Sequence, residues 1–122
     1  MDDERTIQEV TGGMLRIFGF EPDFAGNGAE AIGLYEEARR TGRPYDAVIL
    51  DLTIPGGMGG EETIRRLRTI DPGVRAIVAS GYSNDPILSN FRSYGFQGMV
   101  AKPFLIDDLR SALASALGPG GS

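Results

Sequence analysis

Histidine, cysteine and tryptophan are all absent from the 122 residues. Without histidine there is no Ser-His-Asp or Cys-His nucleophilic chemistry, few routes to a zinc site, and no role as a phosphohistidine carrier. Without cysteine there is no disulfide framework and no thiolate. Lysine occurs once, as Lys102, against eleven arginines. No apolar run approaches the roughly 18 residues a membrane span needs. The acidic start Met1-Asp2-Asp3-Glu4 carries no leader pattern, so a cytoplasmic setting is expected. A net charge of −5 argues against nucleic acid and anionic membrane surfaces as direct partners.

What remains is a chain that is 41% hydrophobic, enough for one compact core. A single domain is expected over residues 1–117, with 118–122 (Gly-Pro-Gly-Gly-Ser) as a flexible tail. Ile7, Val10, Met14 and Ile17 recur at helical spacing within residues 3–18, and Gly19 is a natural stop. Residues 21–25 read as a short strand. Asn27 and Glu30 form a capping-box-like start for a helix through Arg40 that buries Ala31, Leu34, Tyr35 and Ala38. The run Ala47-Val48-Ile49-Leu50 within residues 45–52 is of buried-strand type. A helix is expected over residues 61–70, a strand over 74–79, a helix from Asp85-Pro86 to about Tyr94, a strand over 98–101 and a helix over 105–117. This alternation predicts βα units and a mostly parallel sheet with helices on both faces, whose sites form at the carboxyl ends of its strands.

Three expected strands end in polar residues: Asp51, Ser80, and Lys102 followed by Pro103. Asp2 and Asp3 should lie at the same edge. Taken singly, each has an ordinary explanation as a cap, a turn or a solvated side chain. Together they have a chemical logic. A carboxylate is a competent nucleophile toward phosphorus, and the repulsion between anionic reactants must be offset by positive charge. Mg²⁺ held by Asp3 and Asp51, with Asp2 in its outer shell, would supply that charge. Lys102 would pair with a phosphoryl oxygen and the Ser80 hydroxyl would donate to another.

The pieces Asp2-Asp3-Glu4, Val48-Ile49-Leu50-Asp51-Leu52, Ala79-Ser80-Gly81 and Ala101-Lys102-Pro103-Phe104, in this order and spacing, resemble the receiver domain of two-component response regulators. The resemblance implies a flavodoxin-like doubly wound parallel sheet. It implies Asp51 as phosphoacceptor, Asp3 as direct Mg²⁺ ligand, Asp2 as its water-mediated neighbour, and Thr53 as the position whose backbone carbonyl also binds the metal. Ser80 matches the switch hydroxyl and Lys102 the lysine that contacts the phosphoryl group. The implied donor is a phosphohistidine on a histidine kinase or a histidine phosphotransfer protein. The chain would be a switch that assists its own phosphorylation and dephosphorylation, not an enzyme acting on other substrates. Its read-out surface would be the helix 86–94, the strand at Met99 and the helix 105–117.

Three features depart from the family pattern. Met99 stands where receivers often carry an aromatic switch. The loop from Pro55 to Gly60 is unusually rich in glycine and resembles receivers attached to hybrid sensor kinases. Only Met1 precedes the acidic pair, where receivers have an apolar strand lying between two others in the order 2-1-3-4-5. The expectation is therefore a truncated start, with that strand missing or supplied by another chain, and homodimerisation or strand exchange as the response. A degenerate or truncated receiver that docks or dimerises without phosphorylation is the alternative. A phosphatase of the Asp-x-Asp-x-Thr type is disfavoured, because Thr53 stands where its second aspartate belongs.

Overall fold

The computed structural model describes residues 1–81 and 85–118. Helix α1 spans Arg5–Ile17 and α2 spans Gly28–Arg40; strand β1 (Val48–Asp51) follows, then α3 (Gly60–Ile70), β2 (Ala76–Ser80), α4 (Pro86–Ser89), β3 (Gly98–Ala101) and α5 (Ile106–Leu117). The strands form a parallel sheet in the order β1-β2-β3. Leu50 pairs with Val78, and Val78 with Met99. Parallel neighbours need crossovers, and α3 and the α4 region provide them.

Side chains alternate across β2, whose five residues are all buried. Ala76 and Val78 face a cluster with Tyr35, Leu50, Ile64, Leu67, Leu88 and Phe96. Ile77 and Ala79 face Val100, Leu109, Ala112, Leu113 and Ala116, against which Met14, Leu15 and Phe20 pack. The sheet is thus covered by α2 and α3 on one face and by α1 and α5 on the other, the doubly wound arrangement expected.

Two helix starts follow the capping chemistry of the sequence. The Asn27 side chain accepts the Glu30 N–H at 3.0 Å, and the Asp85 side chain accepts the Ile87 N–H at 2.9 Å. The glycine-rich loop after β1 packs closely against that strand. A Cβ on Gly59 would stand 2.4 Å from the Leu52 carbonyl oxygen, so only glycine fits there.

Three expectations need correction. Residues 21–25 form no strand. Among the described residues the one backbone hydrogen bond on their inner edge comes from Asp2, whose N–H donates to the Ala25 carbonyl at 2.9 Å, and one such bond is not a ladder. The helix expected to reach Tyr94 stops at Ser89; Asn90 leaves helical geometry (φ −125°, ψ 36°) and Phe91–Tyr94 is a 3-10 turn. On α2, Tyr35 is buried but Leu34 is 37% exposed, and on α1 Val10 and Ile17 are 47% and 72% exposed. These helical faces are shallower than their periodicity implied, because little packs beyond the outer edge of β1. Gly118 is the C-cap of α5, and the rest of the expected tail, residues 119–122, lies outside the described residues.

Among the described residues no strand stands before α1. Met1 takes the next place in the sheet instead. Its amino group donates to the Ile49 carbonyl at 2.7 Å, and its carbonyl accepts the Asp51 N–H at 3.0 Å. This is the two-bond pattern of a parallel bridge opposite Leu50.

Candidate functional site

The carboxyl ends of the strands bring five of the expected residues to one edge of the sheet. Asp51 closes β1 and Ser80 closes β2, buried to 4% and 1% exposure. Lys102 follows β3 directly, and its peptide bond to Pro103 is cis. Asp2 arrives from the Met1 bridge and is itself buried, at 6% exposure.

The Lys102 ammonium lies between two carboxylates. Its Nζ is 2.8 Å from Asp51 Oδ2 and 2.7 Å from Asp2 Oδ2. Asp51 Oδ1 accepts the Thr53 N–H at 3.3 Å, while the Thr53 side chain faces solvent. Burial pushes the Asp51 carboxyl above its ordinary value. The hydrogen bond and charge of Lys102 oppose that rise without cancelling it, and the charge of Asp2 adds to it. Burial alone would lower the Lys102 ammonium, but its hydrogen bonds to Asp2 and Asp51 carry it above its ordinary value. The single lysine of the chain is therefore held charged among acids.

Asp2, Asp3 and Asp51 each offer a carboxylate oxygen, and these oxygens lie within 4.8 Å of one another. Three hard anionic oxygens, two of them on buried residues, fit Mg²⁺ better than a softer metal. The ammonium of Lys102 contacts two of these carboxylates but offsets only one negative charge, so the lysine and a divalent ion address the same cluster.

Sequence reasoning did not single out Gln8. Its side-chain amide donates to the Asp2 carbonyl at 2.7 Å, with a longer contact to the Ala25 carbonyl at 3.5 Å. The Asp2 side chain in turn accepts the Glu4 N–H at 2.9 Å. Asp2 is thus held by Gln8, the Glu4 amide and Lys102. A polar residue on the inward side of α1 was the available signal.

Comparison with known proteins places this architecture. The family model of the response regulator receiver domain matches residues 1–114, and the chain belongs to that family. Sporulation initiation phosphotransferase F of Bacillus subtilis is 30% identical over 117 residues, covering 96% of this chain and 90% of the relative. A response regulator receiver domain protein from Clostridium thermocellum superposes with a TM-score of 0.82 at 26% identity, over 95% of this chain and 89% of the other. The response regulator TrrA of Thermotoga maritima, solved in complex with Mg(2+)-BeF, matches with a TM-score of 0.77 at 31% identity, over 95% and 94% of the two chains. The fold is flavodoxin-like, and the chain is a receiver domain of two-component systems.

Proposed function

We propose that Asp51 accepts a phosphoryl group from a phosphohistidine on a histidine kinase or phosphotransfer protein, and that the resulting acyl phosphate switches a protein-interaction surface. The observation that carries this reading is Asp51 buried at the end of β1 with Lys102 2.8 Å away and two further carboxylates beside it.

An Asp51 carboxylate oxygen attacks phosphorus. The P–N bond to the donor imidazole breaks, the electron pair leaves with that nitrogen, and an aspartyl phosphate remains. Asp2, Asp3, Asp51 and the Thr53 backbone would hold Mg²⁺, which screens the charge on the phosphoryl oxygens when bound. Lys102 moves from the Asp51 carboxylate, now an ester-like oxygen of lower charge, to a phosphoryl oxygen. The Ser80 hydroxyl donates to another phosphoryl oxygen. The switch is then an exchange of partners by Ser80 and Lys102, read out at α4, β3 with Met99, and α5. On this reading the chain is not an enzyme toward other substrates, its setting is the cytoplasm, and its partners are proteins. Among the described residues no helix is long and apolar enough to cross a membrane.

The test is Mg²⁺-dependent labelling by a small phosphodonor, with beryllofluoride binding as a second readout. Asp51→Asn abolishes both. Its fold persists with stability within about 1 kcal/mol of the parent, because the substitution removes a buried charge as well as its ion pair. Equal labelling of the two proteins would overturn the assignment of Asp51. A fully folded parent chain that neither labels nor binds beryllofluoride would favour docking without phosphorylation.

A further inference from the structure

Two arginines of α3 stand apart from most arginines on the helix surfaces. Arg5, Arg40, Arg66 and Arg110 each pair with an acid three or four residues away on their own helix. Arg65 and Arg68 pair with no acid among the described residues. For Arg65 a partner is at hand. Glu61 precedes it by four residues, the spacing and order that favour an ion pair. One residue further on, Glu62 and Arg66 form that pair at 2.6 Å. The same spacing is used on one row of α3 and left unused on the next.

The unused row borders a cleft of about 390 Å³ between α3 and the 3-10 turn Phe91–Tyr94, within the ~300–1,000 Å³ range of ligand clefts. Glu61, Arg65 and Arg68 line it from the helix, and Ser93 and Tyr94 from the turn. Arg68 is laid across the exit of that turn. A Cβ on Gly95 would stand 2.8 Å from both the Cδ and the Nη1 of Arg68, so the guanidinium rests where only glycine leaves room. Gly95 is also left-handed, at φ 98°, which again favours glycine. The Ser93 and Tyr94 hydroxyls have no hydrogen-bond partner among the described residues. Two guanidiniums and two hydroxyls thus border one cleft with their donors unspent. The surroundings carry a matching sign. Residues 63–101 hold five arginines against two aspartates, within a chain of net charge −5. Pro72, also on the lining, and Tyr94 lead into β2 and β3, so this part of the cleft lies toward the amino ends of the strands, away from Asp51.

We propose that this cleft binds the phosphate group of a small hydroxylated ester, a sugar phosphate or nucleoside phosphate. The planar forks of Arg65 and Arg68 donate to the phosphate oxygens, and the Ser93 hydroxyl donates to a further one. Glu61 is the one acid on the described lining. It repels a bare phosphate but accepts hydrogen bonds from hydroxyls, so it selects an ester with a hydroxylated body over the inorganic ion. Occupancy of this cleft requires no phosphorylation of Asp51.

The test is titration of the ¹⁵N-labelled chain, without Mg²⁺ and at fixed ionic strength, with ribose 5-phosphate, inorganic phosphate and ribose in turn. Saturable shifts at the Ser93, Tyr94 and Gly95 amides are expected. Ribose 5-phosphate binds about tenfold tighter than inorganic phosphate, and ribose is silent. Arg65→Gln and Arg68→Lys, the second keeping the charge and losing the fork, each weaken binding about tenfold while amide protection of β2 stays unchanged. Arg16→Gln, at another unpaired arginine outside the cleft, leaves binding as it was. Glu61→Gln removes the advantage of the ester by raising the affinity for inorganic phosphate. Equal weakening by Arg16→Gln, or parent-like binding by Arg68→Lys, overturns the proposal, because the anion then answers to general charge. Shifts confined to Asp51 and Lys102 overturn it by placing the anion at the acceptor carboxylate. Tighter binding of a triaspartate peptide than of ribose 5-phosphate overturns the ligand class and assigns the cleft to an acidic protein segment.

Discussion

The two edges of β1 differ sharply. Toward β2 the strand is fully laddered, and every residue of β2 is buried. Away from β2, the edge is met by one bridge from Met1, and Val48 and Ile49 stay half-buried. The clustered carboxylates stand on the seam between these halves: Asp51 belongs to the packed side, and Asp2 is delivered by the sparse one. Rigidity at a receiver site is thus a property of two different neighbourhoods, only one of which is stabilised by a complete core.

The largest expected effect tests that contrast directly. Leu67 is fully buried between α3 and the sheet, whereas Leu34 on α2 is 37% exposed. Leu67→Ala should cost about 2–5 kcal/mol, by lost transfer energy and the cavity left behind. Leu34→Ala should stay within about 1 kcal/mol, since little apolar surface returns to water. Urea unfolding of both variants measures the difference. Equal costs would mean that the outer side is as well packed as the inner.

A smaller effect sharpens the contrast at the site itself. Gln8 holds the Asp2 carbonyl from the sparse side. Gln8→Ala should cost about 1 kcal/mol in stability, the typical net value of one hydrogen bond. If Asp2 needs that support to face the metal, Mg²⁺ affinity of the acidic cluster falls while Gln8→Glu, which keeps length but loses the donor, falls with it. Mg²⁺ titration followed by NMR at Asp51 reads this, and an unchanged affinity in both variants would remove Gln8 as a positioning residue.

How much of this was legible in the sequence follows the same divide. Val48-Ile49-Leu50 and Ala76 to Ala79 announce themselves as strands because they are short continuous apolar runs that carry no alternation. Their terminal Asp51 and Ser80, and Lys102 after β3, were therefore placed correctly at one edge, and the Asn27 and Asp85 caps were readable from local chemistry. Residues 21–25 were misread because strand pattern is local, whereas a ladder needs a partner, and only Asp2 is there to supply one. The break at Asn90 was missed because periodicity does not register the single non-helical residue that splits α4 from the following 3-10 turn. The Met1 bridge and Gln8 escaped for a related reason: both act through backbone groups, which leave no mark in side-chain pattern.

The smallest effect concerns residues 21–25, the outer wall that stands beyond the free edge of β1. The Tyr45 hydroxyl donates to Asp23 Oδ2 at 2.7 Å, tying residues 21–25 to the approach of β1. Burial, then the hydrogen bond and charge of Asp23, push the Tyr45 phenol from 10.0 up to about 12. The folded chain therefore holds this proton more tightly than the unfolded chain does. The stabilisation is complete below the unfolded value of 10.0 and is lost as pH rises toward about 12. Because the pair is solvent-accessible, Tyr45→Phe should cost only about 0.5–1 kcal/mol at neutral pH, less than either preceding change, and should flatten the stability profile between those two pH values. A parent and variant that lose stability in parallel across that interval would show that the wall is held by something other than Tyr45. The loss should also be local: amide protection at Ala25 falls while that of β2 does not, because the outer wall opens without the packed half of the sheet following it.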